Sequence, residues 1–357
     1  MDDIILEYDA FLRSLNQNSN YQCALLLGAG TSVTSGVQSA NDCIWEWKRD
    51  IYISKNPKYA KYFSNFKLEN VRKQIQSWLD LQGDYPKLGS PEEYSFYAEK
   101  AYPIPSDRTH YFKNLVSAKE PYIGYKLICL LNKLGIIKSV WTTNFDGLVE
   151  RAAQSMNITP IAVNLDNYPQ VYNQITSNEI LCVALHGDYK FSSLKNTEKE
   201  LDNQSQVFKK VLSHYLIDKS LIVLGYSGRD KSLMQMLEES FSNSGTGKLY
   251  WCGYRSEVPA EVRTFINKIR SKKREAYYIP TNGFDETMCD WAQLLVSSKY
   301  PDSRPMFDNI VKINKKDETI SHFFINDFIC NTHIKSNLHQ LHFQKNCISL
   351  KYKIQNS

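Results

Sequence analysis

Four short apolar runs in this chain each end in small or polar residues, and that punctuation restricts the fold more than any other feature of the sequence. They close as Leu25-Leu26-Leu27-Gly28-Ala29-Gly30-Thr31-Ser32, Trp141-Thr142-Thr143-Asn144-Phe145-Asp146, Val183-Ala184-Leu185-His186-Gly187-Asp188 and Val223-Leu224-Gly225-Tyr226-Ser227-Gly228-Arg229-Asp230. Runs this short and this uniformly apolar suit strands covered on both faces, as in a parallel sheet. In an open α/β sheet the ligand crevice lies outside the carboxyl ends of the strands, so such ends facing one crevice assemble a site.

Between the runs the pattern turns helical. A leading helix over 3–16 is followed by a strand at 22–27 and a helix from near Ser39 through Ile51. Residues 58–118 then lose the strand rhythm; helical stretches at Leu68–Leu81 and Pro91–Ala101 are broken by Gly83, Pro86 and Pro103. Alternation resumes with a helix at 122–134, strands at 136–141, 159–163, 181–185, 221–224, 249–252 and 275–279, and helices at 147–155, 198–218, 230–241, 258–270 and 284–296. Repeated strand–helix–strand units imply right-handed crossovers. The expected architecture is a Rossmann-like, doubly wound parallel sheet with a helical insertion over about 45–120, forming one domain over 1–296. Residues 297–357 are set apart as an extension of unread role, rich in Asn, Lys, His and Phe without a clear helical stripe.

Charge and cysteine usage exclude several classes. A net charge of +5 on 357 residues is mild, and the densest basic run, Lys268 to Arg274, reads as a solvated helix end, so direct nucleic-acid binding is not expected. The eight cysteines are scattered and read as buried thiols of a reducing compartment. Met1–Glu7 is acidic where a secretory signal needs basic residues, and no apolar run reaches the roughly 18 residues of a membrane helix. A cytoplasmic protein without a membrane partner is therefore expected.

Taken singly, each strand end has an ordinary structural reading. Gly28 and Gly30 serve a tight turn, although they also let a backbone approach a pyrophosphate. Asn144 or Asp146 can cap the helix that follows, His186 can be satisfied by backbone at a strand end, and Asp230 can be an N-cap.

Together, the glycine turn Gly28-Ala29-Gly30-Thr31-Ser32, the string Thr142-Thr143-Asn144-Phe145-Asp146-Gly147 and the pair His186-Gly187 resemble the sirtuin-like family, in particular its branch of bacterial anti-phage defence NAD glycohydrolases. The likeness runs from about residue 22 to about residue 296. It implies that Gly28, Ala29, Gly30, Thr31 and Ser32 hold the diphosphate of NAD. It also implies that Asn144 orients ribose or water, that Asp146 borders the nicotinamide pocket, that Thr143 belongs to the cofactor-binding residues, and that His186 is the base. Gly225, Ser227 and Asp230 would lie at the adenosine side. NAD enters as substrate.

Two departures bear on activity. Where protein-deacylating relatives continue into Pro-Asp-Phe-Arg, this chain reads Val37-Gln38-Ser39-Ala40-Asn41-Asp42, and it has no Cys-x-x-Cys pair for the structural zinc of those enzymes. Cys330-x-x-His333 and His339-x-x-His342 have zinc-compatible types but polar surroundings, so no metal is expected. The reading is hydrolysis of NAD to nicotinamide and ADP-ribose as an abortive-infection effector, by a homo-oligomer under a separate regulatory partner, an ATPase or a nucleic-acid-guided sensor. A protein deacylase or ADP-ribosyltransferase, a non-enzymatic nucleotide sensor and a purely structural module stay open as alternatives.

Overall fold

The computed structural model describes residues 3–17, 22–90, 92–163, 175–185, 198–254 and 256–314, with side chains omitted at 198–205 and 313–314. The chain divides into Met1–Ile310 and Val311–Ser357, and of the second unit only the last turn of one helix is described.

A seven-stranded parallel sheet organises the first unit in the order β3-β4-β2-β1-β5-β6-β7. Its strands are β1 (Cys23–Leu27), β2 (Ile137–Thr142), β3 (Thr159–Val163), β4 (Glu179–Ala184), β5 (Ser220–Leu224), β6 (Leu249–Gly253) and β7 (Ala276–Pro280). All five residues of β1 are buried, as a strand covered on both faces requires. Ala24, Leu26, Trp141, Val183, Val223 and Trp251 share one core with α8 (Glu198–Tyr215), α9 (Lys231–Ser240) and α10 (Ala260–Ser271). Elsewhere in the unit lie α1 (Tyr8–Gln17), α6 (Ile123–Lys133), α7 (Leu148–Ser155) and α11 (Phe284–Ser298). α6 packs on α7 and α11.

The chain winds outward from β1 to one side, then returns to place β5 against the other side of β1, with Leu27 opposite both Thr142 and Leu224. That reversal is the switch point at which such sheets open a crevice.

The inserted module comprises α2 (Ala40–Lys55), α3 (Glu69–Gln82), α4 (Glu93–Ala101) and α5 (Pro105–Ser117). Its own core joins Trp45, Trp47, Ile75, Leu79, Tyr97 and Phe112. Lys48 is fully buried there, paired with Glu93 and donating to Gln76 Oε1 at 2.9 Å. Burial pulls its ammonium below the usual lysine range, an effect the Glu93 pair opposes.

Two details differ from expectation. α5 went unread because Pro103 looks like a terminator, whereas Pro105 occupies the first turn of the new helix, where its missing N–H costs nothing. The supposedly stripe-free tail begins with α12 (Arg304–Asn314), in which Phe307 and Ile310, three apart, are buried.

Candidate functional site

At the end of β1 the backbone bends into a single 3-10 turn, Ala29–Ser32, that lies against the end of β5. Gly28 N donates to Leu224 O and Gly30 N to Gly225 O, each at 2.9 Å. A Cβ at Gly28 would stand 2.5 Å from Gly225 O, and one at Gly225, where φ is +64°, would stand 2.5 Å from Thr31 N. Contact between the two main chains thus requires these glycines whatever occupies the crevice.

Asn144 reaches into the same turn. Its Nδ2 lies 3.0 Å from Gly28 O, 3.0 Å from Ser32 Oγ and 3.2 Å from Thr31 Oγ1, while its own N–H is fixed by Thr142 Oγ1 at 2.9 Å. Thr143 N donates to Leu27 O at 3.1 Å, which continues the β1–β2 ladder into the loop. Asp146, only 5% exposed, accepts from Ser32 Oγ on Oδ2 at 2.5 Å and from Leu148 N on Oδ1 at 3.0 Å. Burial lifts its carboxyl above the ordinary aspartate range, opposed by those two bonds. Asp146 is therefore both a helix-start acceptor and a fastening for the turn. Asn144 spends its amide on the turn and caps nothing.

Phe145, between them, faces the other way and meets Phe112 of α5 at a ring distance of 4.8 Å. The loop is held by the glycine turn on one side and by the helical module on the other.

Beyond the β1–β5 junction a cleft of about 1550 Å³ runs across the ends of β5, β6 and β7. Gly30, Gly225, Ser227, Arg229, Trp251 and Tyr254 are among the residues lining it. Asp230 is taken up as the N-cap of α9, with Oδ1 accepting from Ser232 N at 2.9 Å and Leu233 N at 3.1 Å. The structure thus joins Gly28, Ala29, Gly30, Thr31, Ser32, Thr143, Asn144, Asp146 and Gly225 in one bonded cluster, with Ser227 on the adjoining cleft wall. His186 and Gly187 lie outside the described residues, as do Cys330, His333, His339 and His342. Among the described residues, no group of three or more His, Cys, Asp or Glu side chains is placed to hold a metal, and no helix is long and apolar enough to cross a membrane. The six described cysteines are buried and unbridged.

One residue of the basic run departs from its reading as solvated. Arg274 is 3% exposed and donates to the carbonyls of Asn243 at 2.7 Å, Leu216 at 2.5 Å and Gly247 at 2.6 Å. It closes loop ends that would otherwise bury unpaired carbonyls. Tyr125 was also missed, since a tyrosine inside the apolar run of α6 reads as core; its hydroxyl lies 2.9 Å from Thr31 Oγ1 and 3.0 Å from Ser32 Oγ.

Residues 138–277 match the family described as the SIR2-like domain. Among characterised proteins, the chain is 30% identical over 108 residues to the "NAD(+) hydrolase ThsA" of Enterococcus faecium. That match covers 29% of this chain and 22% of the relative, so it spans about a fifth of that protein's length. Similar solved structures include a Sir2 homolog–NAD complex, with 14% identity, a TM-score of 0.42 and coverage of 81% of this chain and 94% of that one. Another, described as the structural basis for the mechanism and regulation of Sir2 enzymes, has 12% identity, a TM-score of 0.40 and coverage of 82% and 97%.

Proposed function

We propose that this chain, a sirtuin-like protein whose SIR2-like domain spans residues 138–277, hydrolyses NAD at the nicotinamide–ribose bond. The observation that carries the reading is the bonding of Asn144 and Asp146 into the Gly28–Ser32 turn at the switch point, beside a cleft of about 1550 Å³. That volume exceeds the roughly 300–1,000 Å³ of ordinary small-molecule sites and suits an extended dinucleotide. The likeness to a named NAD(+) hydrolase supports the choice of substrate.

In this reading the diphosphate lies against the Gly28–Ser32 turn, whose Gly28, Gly30 and Thr31 N–H groups are bonded within the protein, and the adenosine runs along the Gly225–Arg229 side of the cleft. Remote binding of that half supplies energy for distorting the reactive half. Water adds to C1′ of the nicotinamide ribose as the C1′–N bond breaks. Nicotinamide leaves with the electron pair of that bond, which discharges its pyridinium, and the water's proton passes to His186. Asn144, with Nδ2 bonded to the turn, aligns ribose and water through Oδ1. The products are nicotinamide, ADP-ribose and a proton, and the chemistry calls for no metal.

Depletion of NAD would make the protein an effector of anti-phage defence, acting as a homo-oligomer in the cytoplasm under a regulatory partner that detects infection. The test is incubation of the purified protein with NAD, alone and with the product of the neighbouring gene, followed by chromatography. Nicotinamide and ADP-ribose in equal amounts without an acceptor are expected. Turnover only with an acetylated peptide would return the protein to the deacylases, and binding without turnover would make it a sensor.

A further inference from the structure

Beneath the 3-10 turn lies a hydrogen-bonded chain that includes one side chain without an assigned role. Tyr125 is 1% exposed, and its ring packs against Phe284 of α11 with centroids 5.1 Å apart. Its position is fixed closely: a Cβ on the preceding Gly124 would meet Phe284 at 2.4 Å. Gly124 N also donates to Asp285 Oδ1 at 2.7 Å, and Thr34, just past the turn, donates to Asp285 Oδ2 at 2.6 Å. The start of α6 and the turn are thereby pinned to the same carboxylate.

Counting protons gives the chain a direction. Thr31 Oγ1 spends its hydrogen on Gly28 O at 2.9 Å, and Ser32 Oγ spends its own on Asp146. Both oxygens are left as acceptors. The Tyr125 hydroxyl, within reach of both, must donate to one of them, and the Asn144 amide supplies the other hydrogens. The series runs from Tyr125 either through Ser32 to Asp146 or through Thr31 to Gly28 O, and in such series each bond polarises the next.

We infer that Tyr125 is a positioning residue for the proposed NAD cleavage: from behind the turn, its hydroxyl sets the Ser32 and Thr31 oxygens on which Asn144 and Asp146 are registered. This rests on the NAD reading for its functional half. Tyr125 is buried and does not line the cleft, so its influence passes through Ser32 and Thr31, and binding along the Gly225–Arg229 wall is independent of it.

Tyr125→Phe keeps the ring against Phe284 and removes only the donor. The expected result is a fall of about tenfold in kcat, the scale of one neutral hydrogen bond lost from a transition state, with a clearly smaller loss of calorimetric NAD affinity, because only the diphosphate side of the site lies on the loosened turn. Amide hydrogen exchange, read without turnover, should quicken in peptides covering 28–33 and 142–148 and stay unchanged across β6 and β7. Combined with Asp146→Asn, the kcat losses should be clearly less than additive, as for residues acting along one series. Unchanged exchange in both loops, or parallel loss of NAD affinity and kcat, would overturn the inference. A parent protein that binds NAD and releases no nicotinamide would overturn the NAD reading, and the exchange data would still decide whether Tyr125 holds the turn.

Discussion

Ser32 donates a hydrogen bond of 2.5 Å to Asp146, a residue 114 positions later in the chain, and so ties the turn after β1 to the loop after β2. The bond is buried, and both carboxylate oxygens of Asp146 are engaged, the second by Leu148 N. Asp146 therefore acts by holding Ser32 and the start of α7 in place. In the proposed cleavage the proton-accepting role is left to His186.

His186→Ala and Asn144→Ala should each lower nicotinamide release by roughly a hundredfold or more, the scale for loss of a positioned base or orienting group. Asn144→Ala also removes three contacts to the turn, so a modest drop in melting temperature accompanies it. Initial rates and circular dichroism on the same samples check both points. Near-parental turnover in either folded variant refutes the assignment.

The β1–β5 junction predicts a contrast between glycines. Gly225→Ala pays about 1–2 kcal/mol for a left-handed backbone and about 1–3 kcal/mol for overpacking against Thr31. Gly83→Ala, also at positive φ but with nothing within 4 Å of its added Cβ, pays the first cost alone. Urea unfolding of the two variants should rank them in that order. Gly30→Val, whose Cβ would come within 2.9 Å of Gly225, should lose stability and NAD affinity together. A soluble Gly30→Val protein with parental affinity by calorimetry would move the diphosphate elsewhere.

Asp290 provides a pH test far from the crevice. Burial lifts its carboxyl above the ordinary aspartate range, a shift opposed by the bond from Tyr8 and reinforced by Asp9. A folded-state value above the unfolded one means that the native state holds the proton more tightly. The associated stability is complete below the ordinary value near 3.9 and is lost as pH rises through the folded value. Asp290→Asn keeps an oxygen to accept from Tyr8, now at 2.7 Å, and does not titrate. The variant should gain on the parent between pH 4 and pH 7 in urea unfolding, with unchanged NAD turnover. A difference that is flat across that range would refute the shift.

Activity should survive a strong chelator and need no acetylated peptide, because the sequence lacks the Cys-x-x-Cys pairs of the zinc-bearing deacylases. Chelator-sensitive turnover with stoichiometric zinc would instead promote Cys330, His333, His339 and His342 to ligands.

The strands were legible because a continuous apolar run has one economical use in an α/β protein, and the observed strands start and stop within two residues of the expected ones. Asn144 could be singled out by its company, but its attachment to Gly28, 116 positions away, is a tertiary contact that no local pattern encodes. The glycines were read as making room for phosphate, while their nearest obstacle is main chain, that of Gly225 for Gly28 and Gly30 and that of Thr31 for Gly225. Arg274 looked solvated because its run is basic, yet carbonyls supplied by three distant loop positions bury it. Tyr125 stayed hidden because a hydroxyl inside an apolar helix stripe has no signature until the turn above it is placed.

The junction of Gly28, Gly30 and Gly225 also governs how this protein can change over generations. Where side chains crowd one another, a bulky replacement can be rescued by trimming its neighbour. Here the neighbour is backbone, which cannot be trimmed, so damage at any of the three positions has no suppressor among the other two. Reversion to glycine is the direct way back, and a lineage that loses one of them loses the meeting of β1 and β5 on which both halves of the crevice depend.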